Sequence, residues 1–182
     1  MVAVSMKFPR ITSRAILLAF IVSTLWLVLV MIAAFLVPPG TLDDISGRVG
    51  GHENEDQFRD LNPVAHAVYW IGDGECHQLS ERSYYLNDNQ MPFCARDLGL
   101  FAGIAAGFGI ATFYRSKLKP WLFLVALLPL AIDGGLQAVT SYESNNPLRL
   151  GTGIFAGLGL ALLLAEFVFV IGQDMSQAKS KR

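Results

Sequence analysis

The stretch LGLFAGIAAGFGIATFY, residues 98–114, is apolar along almost its whole length and carries Gly99, Gly103 and Gly107 at four-residue spacing. Glycines so spaced share one face of an α-helix. That face lets a second helix approach closely inside a bilayer, where lipid supplies little hydrophobic driving force. A basic cluster follows the stretch: Arg115, Lys117 and Lys119. We therefore predict that residues 98–114 form a transmembrane helix with a glycine face for packing.

Three further apolar runs flank this stretch. The apolar run of residues 16–37 is longer than the core of an ordinary signal peptide, so we predict that it is a retained signal anchor. The run 120–139 begins with a proline, which is favourable at the first helical position, and the run 150–172 again carries glycines four apart. A helix needs roughly 20 residues to cross the hydrocarbon. With 53% hydrophobic and 16% charged residues, the chain is predicted to be an all-α integral membrane protein, a bundle of four transmembrane helices.

Basic residues give the predicted orientation. If there are four spans, three clusters fall on one side, which the positive-inside rule makes cytoplasmic. The clusters are Lys7, Arg10 and Arg14; Arg115, Lys117 and Lys119; Lys179, Lys181 and Arg182. We predict a multi-pass protein of the cell membrane with both termini cytoplasmic. Three regions follow: residues 1–37, the N-terminus and first span; 38–97, a long outward loop; and 98–182, three spans with an outward polar cluster and the C-terminus.

The outward loop is acidic, with eleven Asp and Glu residues against four arginines. Its first half is predicted to be irregular. Residues 63–71 are predicted to form a short helix lying at the membrane interface, because Tyr69 and Trp70 are aromatic types that prefer headgroup depth. The alternative is a buried helix within the loop itself.

Two acids fall inside predicted spans. Asp133 lies about 20 Å into the third helix, and a carboxylate at such depth is a functional-site hypothesis by default. Gln137 lies one turn further along the same face. We predict these two residues as catalytic candidates; the alternative for Asp133 is an ion pair with Arg82, Arg96 or Arg149. The second acid, Glu166, is expected to pair with Arg115 or to reach toward the interface.

Cysteine and histidine cluster in the loop. Cys76, His77, Cys94 and Asp97 supply four ligands acceptable to zinc, which is the cofactor this set suggests. The alternatives are a Cys76–Cys94 disulfide in an oxidising compartment and a redox pair, although no C-x-x-C is present. Asp97 has the further alternative of capping the second span.

Arginines and asparagines converge at the same predicted face. Arg82, Arg96 and Arg149 are predicted, with Asn145 and Asn146, to bind a ligand. The planar guanidinium binds phosphate bidentately, and phosphate is the abundant anion near headgroups. The alternative is simple pairing of these arginines with the acids of the loop.

At these residues the chain resembles a family of small prokaryotic membrane proteins defined only as a domain of unknown function. The pattern of that family has a cysteine where this chain has Asp97, which gives a C-A-R-C tetrad. The departure weakens a thiol-exchange role most, since aspartate can still bind zinc. The matching stretches are CHQLSERS (76–83), MPFCARDLGLFAG (91–103), PLAIDGGLQ (129–137) and SNNPLRLGTGIFAG (144–157).

Three functions compete at this stage. The first is a membrane protein with an outward polar site that holds a metal and binds an anionic lipid or phosphate ligand. The second is a disulfide-stapled structural or accessory subunit with a membrane-protein partner, and the third is a quinone-linked thiol oxidoreductase. The sequence does not decide whether the protein is an enzyme. The net charge of -1 says nothing about nucleic acid, since membrane topology explains how the charges are segregated along the chain. The predicted partners are membrane lipid and a membrane protein, and no nucleic acid is expected.

Overall fold

The computed structural model describes residues 13–115 and 119–180, with side chains up to residue 173. Several basic residues used to predict the orientation lie outside this description, among them Lys7, Arg10, Lys117, Lys181, Arg182 and the side chain of Lys179. The elements are, in chain order, α1 (Arg14–Ala33), α2 (Glu55–Phe58), α3 (Pro63–Glu75), a 3-10 turn (Ser80–Arg82), β1 (Ser83–Leu86), β2 (Asn89–Cys94), α4 (Ala95–Phe113), α5 (Pro120–Val139) and α6 (Asn146–Ser180).

Four of these helices are long and apolar enough to cross a membrane: α1, α4, α5 and the part of α6 from Asn146 to Gln173. The predicted four-span, predominantly helical class is confirmed. α6 begins four residues before its predicted start. Its first turn tolerates Pro147, and the Asn145 side chain caps it by accepting a hydrogen bond from the Leu148 N–H at 2.9 Å.

The predicted glycine face joins α4 to α6. Both helices run away from the same end of the bundle, and their backbones touch along parallel stripes of small residues. A Cβ at any of four glycines would overlap a carbonyl oxygen of the facing helix: Gly99 with Leu150, Gly103 with Ile154, Gly153 with Arg96, and Gly157 with Leu100. Only glycine permits this separation, so the predicted packing face is present, and the structure shows that its partner is α6.

Residues 34–94 form a small folded unit, here called the cap, over one end of the bundle. Its β1–β2 hairpin was not predicted. The strands pair antiparallel and are joined by Asn87 and Asp88, both of which have positive φ. Asn and Asp tolerate that left-handed conformation, which two-residue hairpin turns require.

The predicted helix at 63–71 is present as α3 and extends to Glu75. Tyr69 is completely buried, and its hydroxyl donates to the Gln90 carbonyl at 2.7 Å. Tyr69 is therefore a core residue of the cap, whereas the opposite face of α3 is exposed at Val64 and Trp70. The position of this helix at the membrane interface stays a prediction. Trp70 is 43% exposed and stacks on His52 with the ring centroids 4.2 Å apart.

One asparagine attaches the cap to α1. The Asn89 amide donates to the carbonyls of Ala34 and Pro38, each at 3.0 Å. Its oxygen accepts from the N–H groups of Thr41 at 2.9 Å and Leu42 at 3.0 Å. A helix end leaves carbonyl groups without intrahelical partners, and the buried Asn89 side chain supplies partners for the chain as it leaves α1.

From the α4–α6 contact we predict that a single added methyl group lowers the stability of the protein. Replacing Gly153 with Ala should lower the free energy of unfolding by about 2 kcal/mol, because the added Cβ overlaps a backbone carbonyl. Gly151→Ala, on the same helix with nothing within 4 Å of its Cβ position, is the matched control and should not be destabilised. Unfolding by SDS in mixed micelles measures both variants. Equal stabilities would show that α4 and α6 do not pack through this face.

Candidate functional site

The two cysteines meet where the cap joins α4. Cys76 follows the last turn of α3, and Cys94 is the N-cap of α4 and pairs in register with Ser83 of β1. Asp97 lies in the first turn of α4, where its carboxylate approaches Cys94. One ligand atom from each of Cys76, Cys94 and Asp97 lies within 4.8 Å of the other two, and the Cys94 thiol donates to Asp97 Oδ2 at 3.2 Å. These three residues are here called the thiol cluster.

His77 is not part of the thiol cluster. The chain at Cys76 is extended, and successive side chains of an extended chain point to opposite faces. Cys76 and Gln78 are buried accordingly, while His77 between them is exposed. The prediction of His77 as a metal ligand is therefore wrong for this structure. The prediction of Asp97 as a helix cap is also wrong, since Cys94 occupies the N-cap position.

The two thiols differ in acidity. A hydrogen bond from Cys76 lowers the pKa of Cys94. The same hydrogen bond, followed by burial, raises the pKa of Cys76. Both cysteines are free in this structure, so the Cys76–Cys94 disulfide is not formed and stays a prediction. Cys94 is the sulfur that more readily becomes a thiolate, the form that binds metals and attacks disulfides.

A cavity of about 310 Å³ lies against the thiol cluster. Its aromatic wall is formed by three rings in edge contact: Phe93 lies 5.8 Å from Trp26 and 5.1 Å from Phe101, centroid to centroid. Two carboxylates, Glu75 and Asp97, also line it, and Ile71 completes the wall. The cavity therefore has a mainly apolar lining with two carboxylates, one of which, Asp97, belongs to the thiol cluster.

A second polar group lies on another side of α4 and is here called the arginine cluster. It consists of Arg82, Arg96 and Arg149 together with Asp133, Gln137, Tyr142, Glu143 and Asn146. Arg96 donates to Asp133 Oδ2 at 2.6 Å, and the Tyr142 hydroxyl donates to the other carboxylate oxygen at 3.2 Å. Asp133 is the buried residue of α5, with 5% exposure. The ion pair that was the alternative for Asp133 is thus formed, with Arg96 as the partner. A catalytic role for Asp133 and Gln137 stays a prediction.

Glu143 is the common acceptor of the arginine cluster and was missed in the sequence. One of its carboxylate oxygens, Oε1, lies 2.7 Å from Arg149, 3.2 Å from Arg82 and 2.8 Å from the Gln137 amide. It lies in the short connection between α5 and α6, where nothing but its nearness to Arg149 in sequence indicates a role. Arg149 is only 2% exposed, so Glu143 balances a buried positive charge.

The predicted ligand-binding residues therefore have protein partners. Besides the acids, the Asn146 amide donates to the Ser83 carbonyl at 3.0 Å, and its oxygen accepts from Arg149 at 3.1 Å. These contacts join α6 to β1. Binding of an anion by Arg82, Arg96 and Arg149 stays a prediction, and it requires the ligand to compete with Asp133 and Glu143.

The second intramembrane acid, Glu166, behaves as expected. Its Oε1 accepts from Arg115 at 3.3 Å, at the end of the bundle away from the cap. The Arg115 guanidinium also lies over the Phe169 ring, 5.1 Å from its centroid. The pairing that was predicted for Glu166 is therefore confirmed.

Four apolar spans under a one-sided cap define a multi-pass membrane protein. The chain belongs to the family described as Predicted membrane protein (DUF2085), which matches residues 76–163. It is 30% identical over 122 residues to an uncharacterized protein of Methanocaldococcus jannaschii, covering 64% of this chain and 76% of that protein. It is 38% identical over 91 residues to an uncharacterized protein of Methanothermobacter thermautotrophicus, covering 48% and 82%. No solved structure matches it significantly.

The match confirms the resemblance to a family of unknown function. It starts at Cys76 and ends inside α6, so it includes the thiol cluster and the whole arginine cluster. Much of the cap, and all of α1, lie before it. The match therefore covers the junction of the cap with the bundle together with α4, α5 and about half of α6.

The Arg96–Asp133 pair predicts strong energetic coupling. Asp133→Ala should cost about 3 kcal/mol of unfolding free energy, because it leaves a partly buried guanidinium unpaired. Arg96→Ala combined with Asp133→Ala should cost much less than the sum of the two single changes. Ile132→Ala, at an exposed neighbour, is the control. Additive costs in SDS unfolding would contradict a direct pair.

Proposed function

We propose that this protein binds a divalent transition-metal ion, zinc by preference, through Cys76, Cys94 and Asp97 at the boundary between the cap and the bundle. The observation that supports this proposal is the approach of two sulfurs and one carboxylate oxygen to within 4.8 Å of one another. Thiolate sulfur and carboxylate oxygen are ligands that zinc accepts. The sequence separations of these residues require the fold to bring them together.

Charge supports the same proposal. All three groups become anionic on deprotonation. Among the residues that the structure describes, no lysine, arginine or histidine nitrogen lies within 4.0 Å of the Asp97 carboxylate. A divalent cation would allow the two thiols and the carboxylate to be ionised together, since metal binding is coupled to proton release from its ligands. The neighbouring Arg96 serves the other cluster, where it pairs with Asp133.

The donor count favours a site with an open position. Structural zinc is almost always bound by four protein ligands, whereas catalytic zinc keeps three and leaves the fourth to water or substrate. Asp97 also lines the cavity of about 310 Å³, which offers space next to the cluster. Glu75 lines the same cavity, and its carboxylate would be a proton acceptor near a bound metal, which would itself supply Lewis-acid chemistry. We therefore propose a metal site of the catalytic type.

A second candidate is a redox or structural thiol pair. The approach of the Cys76 and Cys94 sulfurs to within 4.8 Å of each other favours it, because the two sulfurs need little movement to form a disulfide. In that case the cysteines would staple the cap or exchange electrons with a partner such as a quinone. Metal content and free-thiol count separate the two candidates, since a disulfide leaves no thiolate for the metal.

The metal proposal predicts one zinc per chain. Protein purified in detergent with reduced thiols and then stripped with a chelator should take up one equivalent. Cys76→Ser and Cys94→Ser should each weaken zinc binding by at least about 100-fold, because each removes a direct ligand. His77→Ala, next in sequence but exposed, is the control and should bind normally. Two blocked thiols in protein purified without a reductant, together with no zinc uptake after reduction, would support the disulfide instead.

Substitution of Asp97 gives a second test, in which a stronger ligand is added instead of one being removed. Asp97→Cys provides a third thiolate and should raise affinity for the soft ion cadmium about tenfold. The sulfur-to-cadmium charge-transfer absorbance should grow from that of two thiolates to that of three. Asp97→Ala should weaken cadmium binding without changing the two-thiolate absorbance at saturation. If Asp97→Cys leaves both affinity and absorbance unchanged, Asp97 is not a ligand.

A further inference from the structure

An apolar groove of about 390 Å³ runs between α1 and α4. It is lined without any charged side chain, and two of its wall residues, Trp26 and Phe101, also line the cavity beside the thiol cluster. The groove therefore adjoins that cavity, with the Trp26 and Phe101 side chains at the boundary between them. Its lining residues are Ala19, Val22, Ser23, Trp26, Phe101, Ile104 and Phe108.

A third cleft continues the series into the cap. It has a volume of about 270 Å³ and is bounded by the stacked rings of His52 and Trp70. Ile71 and Glu75 line both this cleft and the cavity. The groove thus adjoins the cavity, and the cavity adjoins the cleft. The three spaces lie one after another from the membrane-spanning helices, past Asp97, to the surface of the cap.

The depth of each space in the membrane indicates which end of a ligand would lie in it. The groove covers one face of α1 from Ala19 to Trp26, about 10 Å at 1.5 Å per residue, inside a span that crosses the membrane. An occupant of this part must be apolar. The cavity above it carries the carboxylates of Glu75 and Asp97, so the other end must be polar. The shape fits an amphiphile that enters sideways from the bilayer.

Charge selects the headgroup. The residues that line the cavity and the cleft include Glu75 and Asp97 but no lysine or arginine. A divalent ion bound by two thiolates and one carboxylate would still leave the site negative. An anionic headgroup is therefore repelled, whereas a hydroxyl or ammonium group can donate hydrogen bonds to the carboxylates.

We propose that the groove and cavity bind a single-chain amphiphile whose headgroup donates hydrogen bonds and carries no negative charge. The chain lies between α1 and α4, and the headgroup lies beside Asp97. This inference rests on the proposed metal site, because Asp97 belongs to both. It differs from the anionic lipid predicted from the arginines, which lie on another side of α4 and pair with Asp133 and Glu143.

The test uses Trp26 as a fluorescent reporter. Trp70→Phe and Trp121→Phe leave Trp26 as the only tryptophan. Three probes of equal length, brominated on the chain and ending in a hydroxyl, an ammonium or a carboxylate, are added at fixed nonionic detergent. The hydroxyl and ammonium probes should quench Trp26 saturably, with half-saturation at least about tenfold below that of the carboxylate probe, a difference of about 1.4 kcal/mol.

Two matched substitutions on α1 localise the binding. Ser23→Phe fills the groove and should weaken saturable quenching by the hydroxyl probe at least about tenfold. Leu25→Phe adds an aromatic ring on the same helix at an exposed position that does not line the groove, and it should leave quenching unchanged. Equal quenching by all three probes, or normal quenching in Ser23→Phe, would overturn the proposal.

Zinc titration of the same variants keeps the two proposals separate. Ser23→Phe should still bind one zinc, since the substitution lies away from the thiol cluster. Loss of probe binding with zinc retained supports the groove as the amphiphile site. Saturable probe binding in a protein that takes up no zinc would overturn the metal site alone, and zinc uptake without headgroup selectivity would overturn the amphiphile alone.

Discussion

The contact of α4 with α6 through glycine is the constraint on which the rest of the structure depends. Lipid tails are as apolar as leucine, so helices in a bilayer gain little from hydrophobic association and rely on close packing. With Gly99 and Gly153 in contact with the opposite backbone, the first turns of both helices lie side by side. Those turns carry Arg96 and Asp97 on one helix and Arg149 on the other, so the glycine contact places both polar clusters.

Buried polar groups hold the cap in register with this scaffold. Gln78, in a left-handed conformation at φ 46°, donates to the Pro92 carbonyl at 2.7 Å, and the Gln90 amide donates to the Gln78 carbonyl. Asp73 accepts from the backbone and the side chain of Asn54 at 3.0 and 2.7 Å. Polar groups that are buried and paired specify one arrangement of the chain. Here that arrangement sets Cys76 against Cys94.

The features that could be predicted from the sequence are those that follow from the spacing of residue types or from the free-energy cost of placing a charge in lipid. Long apolar runs predicted the four spans, and glycine spacing predicted a packing face on α4, although not that α6 is the partner. The free-energy cost of a charge in lipid led to the predicted Glu166–Arg115 pair. The hairpin was missed because β1 and β2 are short and lack alternation in the sequence, since β2 is buried on both faces. Glu143 was missed because its importance comes from two arginines that only the fold brings to it. His77 was misassigned because one residue of extended chain reverses the direction of a side chain.

The Arg96–Asp133 pair also bears on how the protein assembles in the membrane. An unpaired aspartate near the middle of a helix costs about 2.5 to 3.5 kcal/mol on insertion, so Asp133 makes the insertion of α5 by itself less favourable, although the helix is apolar enough to cross a membrane. α4 precedes it in the chain and brings Arg96 to the bilayer first. The ion pair of Asp133 with Arg96 then favours packing of α5 against α4. The order in which the two helices are synthesised is thus also the order in which they can be stably inserted.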